Sequence, residues 1–154
     1  MWACALAYAE ALRDKQDELQ SAARQIECLA FARKLAEARH LSATVERKAQ
    51  EVKSHDAAWL RVACALVESE PSKAASSLDE AIGYFRKQEQ LASLWMAESV
   101  AAAAFRRSGD ASKAALHAQA SLEALKMCEA RFPEHLRQKY AVLPVVVHYQ
   151  KMRS

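Results

Sequence analysis

At 154 residues, with two glycines, three prolines and no asparagine, the chain lacks the residues that turns between many strands require. It is 52% hydrophobic and 27% charged, enough apolar side chain for the continuous core of one domain, and it is built largely from alanine, leucine, glutamate, lysine, arginine and glutamine, which all favour helix. A net charge of +3 is only mildly basic, and Gly83 and Gly109 alone cannot write a phosphate-cradling loop, so an all-α protein without a nucleotide site is expected.

The first predicted helix runs from Trp2 to Arg13 and shows no start signal, as though the chain opens within an element. Asp17 is the expected cap of a second helix, which carries Leu19, Ala22, Ala23, Ile26, Leu29, Ala30 and Phe31 at helical spacing and continues to Arg39. Ser42 or Thr44 starts a third piece, with Val45, Ala49 and Val52 on its apolar face. Asp56, just after Ser54, caps a fourth that bears Trp59, Leu60, Val62, Ala63 and Leu66.

Pro71 opens the next helix, where a first-turn proline is tolerated, and Ala75, Leu78, Ala81, Ile82 and Phe85 form its stripe. Gly83 lies inside that helix and predicts a close helix contact. A weak break over Lys87 to Gln90 precedes Leu91, Leu94, Trp95, Ala101, Ala102 and Phe105. Ser108-Gly109-Asp110 is the strongest turn signal, with Gly109 ending one helix and Asp110 capping the next, whose stripe is Ala111, Ala115, Ala118, Leu122 and Leu125. Pro133 ends this region, a short helix spans Glu134 to Val142, and Pro144 with Val145-Val146-Val147 leads into a polar end. Eight or nine helices and no strand are predicted. Residues 1–131 read as the helical domain and residues 132–154 as a closing short helix with a basic tail.

Residues 60–85 align with residues 100–125 at an offset of 40. Ser72-Lys73-Ala74-Ala75 matches Ser112-Lys113-Ala114-Ala115, and Leu60, Leu78, Ile82 and Phe85 fall opposite Val100, Ala118, Leu122 and Leu125. Each copy is a helix, a tight polar turn and a second helix that begins with alanines. Such units cannot bury their apolar faces alone, and stacking them buries a continuous core behind a concave face.

The run from Ala101 through Arg106-Arg107-Ser108-Gly109-Asp110 to Ala114-Ala115, followed by Ala118 and Leu122, resembles the middle of a tetratricopeptide (TPR) repeat. Gly109, Asp110, Ala114 and Ala118 match that family's turn and small-residue positions, and Ala75 in the neighbouring copy is expected, like Ala114, where two helices approach closely. The 40-residue spacing exceeds the family's usual length of about 34, and the Trp and Gly of its first helix are absent. The longer unit is similar to TPR-like arrays in large bacterial signalling regulators, such as MalT-type regulators and kinase- or ATPase-linked sensors. Pro133-Glu134-His135-Leu136-Arg137 resembles the short helix that closes such arrays. The resemblance implies a right-handed α-solenoid whose first helices line an inner binding face. It places Arg61, Glu98, Ser99 and Ala102 on that face, where charge reversals at Arg61 and Glu98 are expected to weaken partner binding and leave folding unchanged. A protein or peptide, or another domain of the same protein, is the partner implied.

No catalytic constellation accompanies these features. The five histidines form no H-x-x-x-H pair for a metal, His117 reads as a surface or partly buried side chain, and no cofactor motif is present. Cys4, Cys28, Cys64 and Cys128 are too widely spaced for a zinc ribbon or disulfide scaffold and read as reduced, mostly buried side chains. Trp59 and Trp95 are expected to staple helix pairs, while Trp2 is a candidate exposed contact for homodimerisation. The basic pairs Arg33-Lys34, Arg47-Lys48 and Arg106-Arg107 sit among acids, which argues against nucleic acid. No apolar run reaches the roughly 20 residues of a membrane span and no basic leader opens the chain, so a cytoplasmic, non-catalytic interaction scaffold is expected.

Overall fold

Alanine-rich segments with apolar residues every third or fourth position form helices that can approach closely. The computed structural model describes the backbone of residues 2–50 and 53–154, and the side chains of residues 14–50 and 53–154. Over this range the chain is all-helical, with eight helices and no strand. It folds as two compact units, Met1–Val67 and Glu68–Ser154. Residues 132–154, expected as a separate closing segment, fold within the second.

The first unit holds α1 (Trp2–Phe31), α2 (Leu35–Gln50) and α3 (His55–Val67), each packed against the other two. Leu19, Ala22, Ala23 and Ile26 from α1 meet Ala38, Val45 and Ala49 from α2 and Ala57, Leu60, Ala63, Cys64 and Val67 from α3. Burying each leucine or isoleucine here contributes about 1.5–3 kcal/mol. Arg39 Nε donates to the Val67 carbonyl oxygen at 2.9 Å, satisfying an orphan acceptor at the end of α3. The Trp59 indole donates to Glu27 Oε2 at 3.2 Å and ties α3 to α1, as expected of a staple.

The boundaries here correct the sequence reading. Asp17 caps nothing, because α1 runs unbroken through it: nothing near Asp17 forces the chain out of helix, and Leu19 to Ile26 extend one buried stripe. Ser42 and Thr44 lie inside α2, where the Thr44 hydroxyl donates back to the His40 carbonyl oxygen at 2.9 Å. The cap of α3 is Ser54, whose Oγ accepts from the Ala57 amide at 3.2 Å, and Asp56 sits within the first turn. Cys28 is exposed, whereas Cys64 and Cys128 are buried. Cys4 and the Trp2 side chain lie outside the described residues.

The second unit is built around α5 (Leu91–Arg107), which packs against α4 (Pro71–Lys87), α6 (Ala111–Ala130) and α8 (Pro144–Arg153). Its Leu94, Trp95, Ala97, Glu98, Ser99, Val100, Ala101, Ala102 and Ala104 are all buried, so α5 is covered on nearly every side. Ala74, Leu78, Ala81, Ile82 and Phe85 of α4 supply one wall, and Ala114, Ser121, Ala124, Leu125 and Cys128 of α6 another. Trp95 fixes the C-terminal helices. Its indole donates to Tyr140 Oη of α7 (Glu134–Ala141) at 3.0 Å, and its ring meets Tyr149 of α8 edge-on with centroids 6.2 Å apart.

Pro144 does not lead into a polar end. It starts α8, whose Val146 and Tyr149 are buried while Lys151 and Arg153 occupy its last turn. Gly83 makes no close contact, since a Cβ there would meet nothing within 4 Å. Ala74 takes the buried seat equivalent to Ala114, and Ala75 beside it is only half-buried, as is Ala118. Pro71 and Ala111, aligned in the sequence comparison, both stand first in their helices. The connections before these two helices differ, because Ser108–Asp110 contains a left-handed residue and Glu68–Glu70 does not.

Three connections share one turn. After α1, α4 and α5 the chain places Arg33, Glu89 and Gly109 at φ 59°, 53° and 81°. Lys34, Gln90 and Asp110 amides then donate to the carbonyls of Leu29, Phe85 and Phe105, at 2.8, 2.9 and 3.0 Å. Arg33, Glu89 and Gly109 amides reach Ala30, Arg86 and Arg106 at 3.0, 3.2 and 3.1 Å. This Schellman pair satisfies the last carbonyls of each helix, and the residue that follows begins the next.

Candidate functional site

The C-terminal turn of α4, the start of α5 and the second half of α6 enclose a groove of about 330 Å³ within the second unit. Leu91 and Leu94 from α5 and Ala120, Ala124 and Met127 from α6 make its apolar lining. Arg86, Glu89, Glu98, Glu123 and Arg131 supply its charge.

Glu98 sits at the floor, 1% exposed. A buried carboxylate is tolerated only when paired and hydrogen-bonded, and both oxygens are engaged. Arg86 Nη2 donates to Oε1 at 2.9 Å. His117 Nδ1 lies 2.6 Å from Oε2. The imidazole is held flat against Phe105, with centroids 5.0 Å apart and planes within 6°, and the Lys113 ammonium lies 5.2 Å from the same ring. Asp110 positions this end of α6 by accepting from the Lys113 amide at 3.0 Å.

These contacts correct the expected inner face. Glu98, Ser99 and Ala102 are buried because α5 is covered by its neighbours, so they present no surface to a partner. The Ser99 and Ser121 hydroxyls lie 2.8 Å apart and close on the Trp95 carbonyl oxygen, at 3.0 and 2.9 Å. Reversing the charge of Glu98 would set a cation against Arg86 and His117, and folding would not be spared. Arg61 lies half-buried in α3, in the first unit.

The sequence reading missed the outer face of α6. Leu116, Ala120, Glu123 and Met127 recur at helical spacing on one face, and Leu116 and Met127 are 70% and 56% exposed. The signal was present: both fall off the Ala114–Leu125 stripe that faces α5, and apolar residues out of core register mark a second face. Leu136, Val142, Leu143 and Val145 are also exposed, around the α7–α8 corner.

At least one member of each basic pair has a partner. Lys34 pairs with Glu37 at 3.3 Å, Lys48 with Glu18, and Arg106 donates to the carbonyl oxygens of Met152 and Arg153 at 3.2 and 2.8 Å. Burial pushes the Cys128 thiol up, and it pushes the neighbouring Tyr140 phenol up to about 12. Among the described residues, no group of three or more His, Cys, Asp or Glu side chains converges on a metal position, and no helix is long and apolar enough to cross a membrane. No protein-family model, characterised protein or solved structure matches the chain.

Proposed function

We propose that the chain is a non-catalytic docking module: a TPR-like array of helix hairpins that serves as the regulatory or sensory part of a larger signalling protein. The observation that carries this reading is the outer face of α6, where Leu116 and Met127 stand exposed beside an apolar groove with a charged rim. Large apolar side chains aligned on one exposed face mark a contact surface more often than chance scatter does. The three Schellman turns support the array, since one type of joint is used three times. A protein or peptide is the partner that fits an apolar lining with a mixed-charge rim, and the acids paired with Lys34 and Lys48 favour it over nucleic acid.

The test is selection of peptides from a displayed library against the intact chain, followed by affinity measurement. Binders should lose at least tenfold in affinity with Met127→Glu, a change on an exposed side chain, and should be indifferent to Gln138→Glu on exposed α7. Failure to select any binder sensitive to Met127→Glu overturns the α6 face as the docking surface.

A further inference from the structure

We propose that a second copy of this chain occupies the α6 groove, with the two α6 helices crossing antiparallel about a two-fold axis at Met127. This rests on the docking reading above and names the partner. Glu123 and Arg131 lie four residues to either side of Met127, each about 6 Å from it along the helix axis. All three line the groove. A two-fold axis through Met127 therefore brings Glu123 level with Arg131 of the second copy, and Arg131 level with its Glu123. One rotation makes two opposite-charge pairs and brings the Met127 side chains together on the axis. A parallel arrangement would set Glu123 against Glu123 and Arg131 against Arg131.

The rest of the groove fits such an occupant. Arg86, on the opposite lip, is paired with Glu98, which leaves Glu89, Glu123 and Arg131 as a mixed-charge rim whose acids an entering helix must meet with a cation. Arg131 of the second copy supplies one. Gln119 Nε2 donates to Glu123 Oε1 at 2.8 Å and holds that carboxylate in place. Ala120, Ala124 and Ala130 keep the surface around Met127 shallow, so two helix axes can approach to about 10 Å with the Met127 side chains between them.

Sedimentation equilibrium on the full chain tests this at concentrations of about 100 μM, where a micromolar Kd populates the dimer. The wild type should be a reversible dimer, and Met127→Glu should be monomeric with unchanged helical circular dichroism. E123R sets Arg against Arg and R131E sets Glu against Glu, so each alone should weaken dimerisation at least tenfold. The two variants mixed should form a heterodimer, because both contacts across the axis become opposite in charge again; the E123R/R131E double variant should dimerise for the same reason. A dimer that survives Met127→Glu, or single variants that do not recover on mixing, overturns the proposal. A monomeric wild type overturns it too. If that monomer still binds Met127-dependent peptides, the docking reading stands without self-pairing; if it binds none, both readings fall.

Discussion

Glu98 Oε2 and His117 Nδ1 lie 2.6 Å apart, joining the middle of α5 to α6 through a carboxylate that is almost wholly withdrawn from water. The same carboxylate takes Arg86 from α4, so one acid locks three helices. Removing one partner of such a cluster leaves an uncompensated charge or an empty polar seat. Arg86→Ala strands the buried Glu98 carboxylate without its guanidinium and should destabilise the protein by about 1–3 kcal/mol, whereas Glu98→Ala removes that buried charge and leaves an Arg86 side chain that is 65% exposed and can turn to water, so it should cost less. Urea unfolding followed by far-UV circular dichroism reads both. Equal, small losses would mean that the buried Glu98 carboxylate does not depend on Arg86.

The three Schellman turns differ in one respect. Gly109 carries the left-handed residue without a Cβ, while Arg33 and Glu89 hold φ 59° and 53° with one. A side chain in that region costs roughly 1 kcal/mol, and the turn hydrogen bonds do not need it. Glu89→Gly and Arg33→Gly should each stabilise the chain by about 0.5–1 kcal/mol, and Gly109→Ala should destabilise it by about 1 kcal/mol. Melting temperatures of the three variants check the signs. A loss of stability at both Arg33→Gly and Glu89→Gly would show that these side chains contribute more than their backbone strain removes.

The same turns show how far the sequence could be read. The joint at Ser108-Gly109-Asp110 was legible because glycine and an N-cap acid announce it. Its twin at Ala32-Arg33-Lys34 was not, because tertiary packing of α1 against α2 imposes the same backbone on residues with no turn preference. Pro71 set the start of α4 correctly, and Pro144, the same signal, started a helix that the valine run disguised. At the site, the chemistry of Glu98 was singled out but its surroundings were misjudged. Periodicity places a residue on a helix face, but burial of α5 depends on helices 20–50 residues away, α8 among them.

Register within the repeat can be tested by overpacking. Ala74 and Ala114 are buried at equivalent places on α4 and α6, with Ala75 half-buried and Ala115 exposed beside them. Ala74→Leu and Ala114→Leu should each cost about 1–3 kcal/mol, because extra methylenes in a close-packed helix contact force neighbours off their rotamers. Ala115→Leu should stay within about 0.5 kcal/mol, and Ala75→Leu should fall between. Losses at Ala115 equal to those at Ala114 would place the contact one residue further along the helix.

Alkaline pH should separate folding from surface effects through Tyr140. Its phenol, pushed up to about 12 by burial and by the neighbouring Cys128, keeps its proton in the folded chain while the unfolded chain ionises near pH 10. The folded state thus binds more protons between those values, and stability must fall as pH rises through them. The Cys128 thiol, also raised by burial, adds a loss of the same sign beginning near its ordinary value of 9.0. Tyr140→Phe removes the phenol's contribution but also takes away the acceptor of the Trp95 indole, which costs about 1–3 kcal/mol at neutral pH. Urea midpoints at pH 8 and pH 11 should therefore show a less stable variant at the lower pH with a smaller drop between the two. A variant that loses as much stability on alkalinisation as the wild type would mean that Tyr140 ionises as readily folded as unfolded, and that the Trp95–Tyr140 bond does not hold α7 closed against water.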